Sequence, residues 1–207
     1  MVNEVKIDNE LGASDDLVAS RVSWVPINTA CANFKTQKIT RNCDRIFISA
    51  TIGLVIFSSI FFVIGLGACI IACIFLSDSN FSGAIFCGLF GALFCYGGMS
   101  SFLNRRDFVL DLSKGYYFFG SRYEPGLILP RSRQGLVAHI YAIQLLQKSW
   151  TCSDNYTHIC HELNLVFKNA ERVNIMTTST FEDNQASAAL LSEALGVPVW
   201  KGLRTSL

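Results

Sequence analysis

Between Arg45 and Arg105 the only residue that carries a charge at neutral pH is Asp78. Ile46 to Ser77 is 32 residues without a charge, and Ser79 to Asn104 is another 26. A helix needs about 20 predominantly apolar residues to cross a hydrocarbon core of about 30 Å. Each stretch is long enough for one crossing. The first exceeds a straight crossing, an excess that tilt or extension past the hydrocarbon absorbs, and Gly65 and Gly67 are its candidate bend points. Burying such a hairpin inside a soluble protein would take far more surrounding chain than 207 residues provide. The sequence therefore predicts a transmembrane helical hairpin over residues 46–104, with spans at about 46–76 and 81–103.

The link Ser77-Asp78-Ser79-Asn80 suits a tight turn between antiparallel helices. Lys35, Lys38, Arg41 and Arg45 precede the first span, Arg105 and Arg106 follow the second, and the turn has no basic residue. Basic residues in short flanks stay in the cytoplasm, so both termini are expected there, in a multi-pass protein of the bacterial cytoplasmic (inner) membrane. A cleavable signal peptide is not expected, because the apolar run starts about 45 residues in and the start is acidic.

Small residues recur along the spans. Gly83, Cys87, Gly91 and Cys95 follow one another every four residues in the second, as do Gly65, Cys69 and Cys73 in the first. This spacing lets helix backbones approach closely in lipid, which predicts packing within the hairpin. A homo-oligomer or a partner's helix would use the same face. Neither span holds the polar groups of a proton relay or ion path, which argues against a transporter or channel.

Four of the eight cysteines (Cys69, Cys73, Cys87 and Cys95) lie in the spans, where cysteine acts as a small apolar residue. Cys31, Cys43, Cys152 and Cys160 would face a reducing compartment under this topology, so no disulfide is expected. Cys152, His158, Cys160 and His161 are the tightest candidate metal cluster. On a strand His158 and Cys160 point one way and His161 the other, and no Cys-x-x-Cys pair completes a site. No metal or other cofactor is predicted.

Residues 1–45 divide into an acidic start and a basic stretch, and are read as a flexible cytoplasmic segment. Val22-Ser-Trp-Val25 is a short extended or interfacial element within it. Residues 105–207 read as a small cytoplasmic domain. Phe108-Val-Leu-Asp-Leu112 and Tyr116-Tyr-Phe-Phe119 flank a turn containing Gly115, a hairpin pattern. A third apolar segment runs from Gly135 to Leu146. His161 to Phe167 alternates as a strand, with Leu163, Leu165 and Phe167 on one face, and Glu171 to Met176 returns beside it. Asp183 is the expected N-cap of a helix ending at Leu195, with Gly196 beyond it and Ala186, Leu190 and Ala194 in its apolar stripe. Val197-Pro-Val-Trp200 follows as an extended tail. The expected class is membrane α+β: the hairpin, then a small pleckstrin-homology-like (PH-like) antiparallel β domain closed by a C-terminal helix.

Two spans followed by Phe108-Val-Leu-Asp-Leu-Ser-Lys-Gly115, Glu162-Leu-Asn-Leu-Val-Phe167, Arg172 and Leu191-Ser-Glu-Ala-Leu-Gly-Val-Pro-Val-Trp200 resemble a set of uncharacterised bacterial membrane proteins. The layout is also similar to the photosystem I assembly protein family. The resemblance covers roughly residues 46–200, and the acidic-then-basic N-terminal segment departs from it. It implies a non-enzymatic membrane protein that holds or assembles others, and does not imply photosynthesis.

No catalytic motif supplies an alternative. There is no phosphate-binding Gly-x-x-x-x-Gly-Lys loop, no His-Glu-x-x-His and no Gly-x-Ser-x-Gly. His139, His158 and His161 lack a nucleophile with an orienting acid. Asp107 and Asp111 read as solvated strand-end acids, and Glu162 as surface-facing opposite Leu163. Net charge of +1 excludes nucleic-acid binding driven by bulk positive charge. Two functions remain. One is a membrane-anchored scaffold, assembly or regulatory protein that binds a membrane-protein partner through its cytosolic domain, by a sheet edge or a sheet–helix groove. The other is an anionic-lipid sensor using basic turns at Lys114, Arg122, Arg131 and Arg133.

Overall fold

In the computed structural model, residues 6–9, 16–27, 34–103, 107–127, 129–151 and 157–203 are described. The chain divides into two compact units, one formed by Met1–Ser49 with Asp107–Leu207 and the other by Ala50–Arg106.

The second unit is a helical hairpin of α2 (Ile52–Ser77) and α3 (Phe81–Leu103), both long and apolar enough to cross a membrane. The first span begins at Ile52 rather than 46. Residues 46–50 obey a period of two, with Ile46 and Ile48 buried, and form a strand instead. The Thr51 hydroxyl then caps α2 by accepting from the Leu54 N–H at 3.4 Å. At the turn Ser79 adopts a φ of 57°, and the Asn80 side-chain oxygen accepts from the Gly83 N–H at 3.1 Å. The helices meet through their small residues. A Cβ on Gly65 would lie 2.5 Å from the Cys95 backbone nitrogen, and one on Gly91 2.6 Å from Cys69 Sγ. Gly83 is closed off by the Phe75 ring, whereas Cys73 is exposed and Cys87 half-buried. Phe61 stacks on Phe94 with centroids 5.3 Å apart.

Among the described residues, the first unit holds ten strands in two sheets. Besides α1 (Leu17–Arg21), its elements are β1 (Lys6–Asn9), β2 (Gln37–Asn42), β3 (Arg45–Ala50), β4 (Phe108–Asp111), β5 (Tyr116–Phe119), β6 (Gln134–Leu136), β7 (Ile140–Thr151), β8 (Thr157–Phe167), β9 (Arg172–Thr178), α4 (Phe181–Leu195) and β10 (Val199–Leu203). One sheet has the order β2-β3-β4-β5-β6 and the other β1-β10-β7-β8-β9. Described parts of residues 1–45, expected as a flexible tail, are thus built into both sheets. Their apolar positions (Val18, Val22, Ile39) are too dispersed for a sequence reading to pair them with strands far along the chain.

β3 and β4 are adjacent and antiparallel, with Ile48 opposite Phe108. The helical hairpin is therefore inserted between two paired strands. Inward residues of both sheets make one core, including Ile46, Phe108, Leu110, Tyr117, Leu145, Leu163 and Leu165, against Ala188 and Leu191 of α4. Helix α4 starts two residues before the expected Asp183 cap, with Thr180 at its N-cap and Asp183 inside the first turn. Gly196 ends it at a φ of 64°, the left-handed C′ conformation. The expected tail Val197–Trp200 enters the sheet, because β10 pairs in parallel with β7 and Trp200 is buried.

Candidate functional site

Alternation along β8 sends Leu163, Leu165 and Phe167 into the core and aims Glu162 and Asn164 at the opposite face. That face is covered. Residues 16–27 cross it as a strap, and Gln144, Glu162 and Asn164 are each no more than 1% exposed. Glu162 is consequently not at the surface, because its cover comes from 135 residues upstream.

Three side chains of the sheet read the strap's backbone at alternate residues. Gln144 Nε2 donates to the Ser23 carbonyl at 3.1 Å, Arg172 donates to the Val25 carbonyl at 2.9 Å, and the Ile27 N–H donates to Glu162 Oε2 at 2.8 Å. Behind them Arg172 donates to Gln144 Oε1 at 3.0 Å, Asn164 to Glu162 Oε2 at 3.4 Å, and Asn174 to Asn164 Oδ1 at 3.0 Å. Burial pulls the Arg172 guanidinium below its ordinary value, and the neighbouring Glu162 carboxylate counters this.

The strap is anchored at its start by packing. Ala19 and Val22 join Ala142, Val166 and Trp200 in a second apolar cluster. Trp24 lies 6.2 Å from the Trp200 ring and donates to the Ala19 carbonyl at 3.2 Å. Asp16 caps α1 and accepts from the Tyr141 hydroxyl at 2.9 Å, a bond that raises the phenol's pKa.

On the core side, a cavity of about 320 Å³ opens between α4, β7 and β10. Leu145, Ala188 and Val199 supply its apolar lining, and Gln185, Ser192, Glu193 and Lys201 its polar groups. It lies where a sheet–helix groove was expected.

The four basic turn residues do not form one patch by their contacts. Arg131 reaches Glu171 at 3.2 Å and Asn169 at 3.0 Å, and its guanidinium lies 4.4 Å from the Phe167 ring centroid. Arg122 lies 3.6 Å from Glu124. Lys114 and Arg133 are exposed in separate turns. Arg105 and Arg106 lie outside the described residues.

Asp111 is not a solvated strand-end acid. It is buried, accepting from Ser113 Oγ, the Lys114 N–H and Arg45 Nε at 2.8, 3.0 and 2.8 Å. Cys31 and Cys152 lie outside the described residues, as does the side chain of His158. Cys160 is disulfide-bonded in the structure, where a thiol was expected. Cys43 is an exposed thiol. No cluster of three metal-ligating side chains occurs among the described residues. His161 is buried under α4 with its ring 5.1 Å from Phe181, and desolvation lowers its pKa against the pull of Glu182.

No family model, curated protein or solved structure matches the chain. Functional inference therefore rests on these surfaces. The sequence located the groove's elements but gave no role to Gln144 or Asn164. Its one pointer to the strap was the extended pattern from Val22 to Val25.

Proposed function

We propose that this chain is a non-enzymatic, membrane-anchored scaffold, assembly or regulatory protein whose globular unit grips an extended segment of a membrane-protein partner. The groove between α4 and β10 carries the reading. Its lining combines apolar contact for alternate side chains with Glu193 and Lys201, two opposite charges that fix the polarity of a bound strand. Insertion of the hairpin between paired strands supports an anchoring role, since the chain enters and leaves the α-helical unit from neighbouring positions of one ladder.

A PH-like description also has support. Strands β3 to β6 lie in sequence in one sheet, β7 to β9 in the other, and α4 follows. The resemblance to two-span bacterial membrane proteins points the same way. Basic flanks favour the cytoplasmic membrane with both termini inside. Intramolecular partners for Arg131 and Arg122 leave the lipid-sensing reading without a specific support.

The test is a photo-crosslinker at Gln185 or Glu193 in native membranes, with mass spectrometry of both protein and lipid. The reading expects one stoichiometric membrane protein, lost when Ala189→Trp fills the groove. Crosslinks confined to anionic lipid, with no protein adduct, would overturn it.

A further inference from the structure

We infer that the strap formed by residues 16–27 occupies, in cis, a second binding site: a cleft for an extended polypeptide that presents an aromatic side chain, which a partner segment takes in trans when the strap leaves. This goes beyond the groove, lies on the opposite face of the same sheet, and rests only on the reading that the globular unit binds a protein.

The contacts have the form of peptide recognition. Gln144, Arg172 and Glu162 bond to the main chain at residues 23, 25 and 27, so they read an extended backbone and no side-chain identity. Specificity lies in one niche. Gly202 has no side chain where the Trp24 indole sits, and Trp200 forms the neighbouring wall. An aromatic residue one position before the first carbonyl that Arg172 reads is therefore the side chain the cleft selects.

Two properties make the contact exchangeable. First, the covered face is hydrophilic in the region of residues 23–27. Permanent cover is ordinarily apolar, as Ala142 and Val166 are beside the start of the strap. Burying Gln144, Glu162 and Asn164 and half-burying Arg172 instead costs desolvation that the strap's carbonyls and N–H groups only offset. Once residues 23–27 leave, water solvates the same polar groups, and the Trp200 ring that Trp24 covers is the apolar surface the incoming aromatic side chain takes up. Second, the later half of the strap packs lightly: Val25 and Ile27 are 65% and 43% exposed, and Trp24 is its one aromatic ring against the sheet. Few buried apolar contacts and solvent-facing backbone bonds mark segments that open below the global unfolding free energy.

The probe is a labelled synthetic peptide of residues 16–27, added to the full chain in mild detergent with and without a thiol reductant, because Cys160 is disulfide-bonded on the cleft face. A tethered strap competes at high effective concentration, so the peptide should bind Trp24→Ala at least about tenfold more tightly than wild type. Arg172→Gln added to Trp24→Ala should lose that binding. In the wild-type protein, hydrogen exchange of the strap amides should run at least about tenfold faster than that of Leu163 to Val166. The inference fails if strap and β8 amides share one protection level. It also fails if the peptide ignores Trp24→Ala protein, or binds it equally well without Arg172. Protection of the β8 amides reports whether each variant folds, and the wild-type exchange measurement decides alone if one does not. Crosslinking at Gln185 and Glu193 is independent of all these outcomes, so failure of the groove reading is separately visible.

Discussion

The Trp24 indole fills the space where Gly202 lacks a side chain. A methyl group on Gly202 would sit 2.9 Å from Trp24 Cε3 and 2.7 Å from Leu146 Cδ2. Gly202→Ala should therefore destabilise the globular unit by about 1–3 kcal/mol, the usual cost of overpacking. Denaturant unfolding followed by tryptophan fluorescence measures it. Trp24→Leu in the same chain should recover part of the loss, because contacting residues are not additive. Simple additivity of the two changes would show that Trp24 and Gly202 do not meet.

Gly65 and Gly67 differ by two residues and by a half-turn of helix. A Cβ at Gly65 meets Cys95 and Gly91 of the facing helix, whereas one at Gly67 meets nothing within 4 Å. Gly65→Val should lower the melting temperature in detergent, through a strain of about 1–3 kcal/mol. Gly67→Val should leave it nearly unchanged. Equal effects at the two positions would remove Gly65 from the helix–helix contact.

Asp111 contributes to the acid sensitivity of the globular unit. Desolvation alone would raise its pKa, but bonds from Ser113, Lys114 and Arg45 outweigh it and hold the carboxyl below its ordinary value. A carboxyl depressed in the folded state adds stability that is present above its unfolded pKa, about 3.9, and is lost as pH falls through the lower folded value. Asp111→Asn should therefore be clearly less stable than wild type at pH 7. That gap should shrink as denaturation midpoints are measured from pH 5 down to pH 3. A constant gap across this range would remove the ionised carboxylate from the account.

What was legible in the sequence was periodic and local. Loss of charge after Arg45 announced the hairpin, and alternation at Leu163, Leu165 and Phe167 announced β8. Residues 46–50 were misread because their apolar composition continues the span, while their burial pattern of two belongs to a strand. Glu162 and Asn164 obeyed the same alternation, yet exposure does not follow from alternation when a segment 135 residues away covers the face. Asp111 was misjudged for the same reason, since its partner Arg45 lies on the far side of the inserted hairpin. The groove's elements were legible, a helix and a following Val-Pro-Val, but Ala186 is exposed and the expected stripe of Ala186, Leu190 and Ala194 does not line the groove. Its charged lining depends on the parallel pairing of β10 with β7, which no local pattern encodes.

Arg131 is held three ways, by Glu171, by Asn169 and by the Phe167 ring. Its side chain is 32% exposed, so the ion pair adds little and the ring contact about 0.5–1 kcal/mol. Arg131→Ala should lower stability by about that amount and leave the binding of full-length protein to phosphatidylglycerol vesicles within twofold. Arg133→Ala should change neither. Loss of vesicle binding at unchanged stability would restore the lipid-sensing role that basic turns suggested.

Topology and the Cys160 disulfide bear on one another. Two membrane-spanning helices would place both ends on one side, and the basic flanks favour the cytoplasm for that side. Disulfides in a reducing compartment are transient or redox-responsive rather than permanent. With cytoplasmic ends, a reporter fused after Leu207 should be active inside the cell and one inserted at Asn80 outside. Cys160, 2% exposed, should then be recovered as a thiol after acid quenching and denaturing alkylation of growing cells, and as a disulfide after oxidant treatment. The inverse result would be a reporter after Leu207 active only outside, together with Cys160 oxidised in untreated cells. It would turn the protein over in the membrane and make the disulfide a permanent fastening of the globular unit.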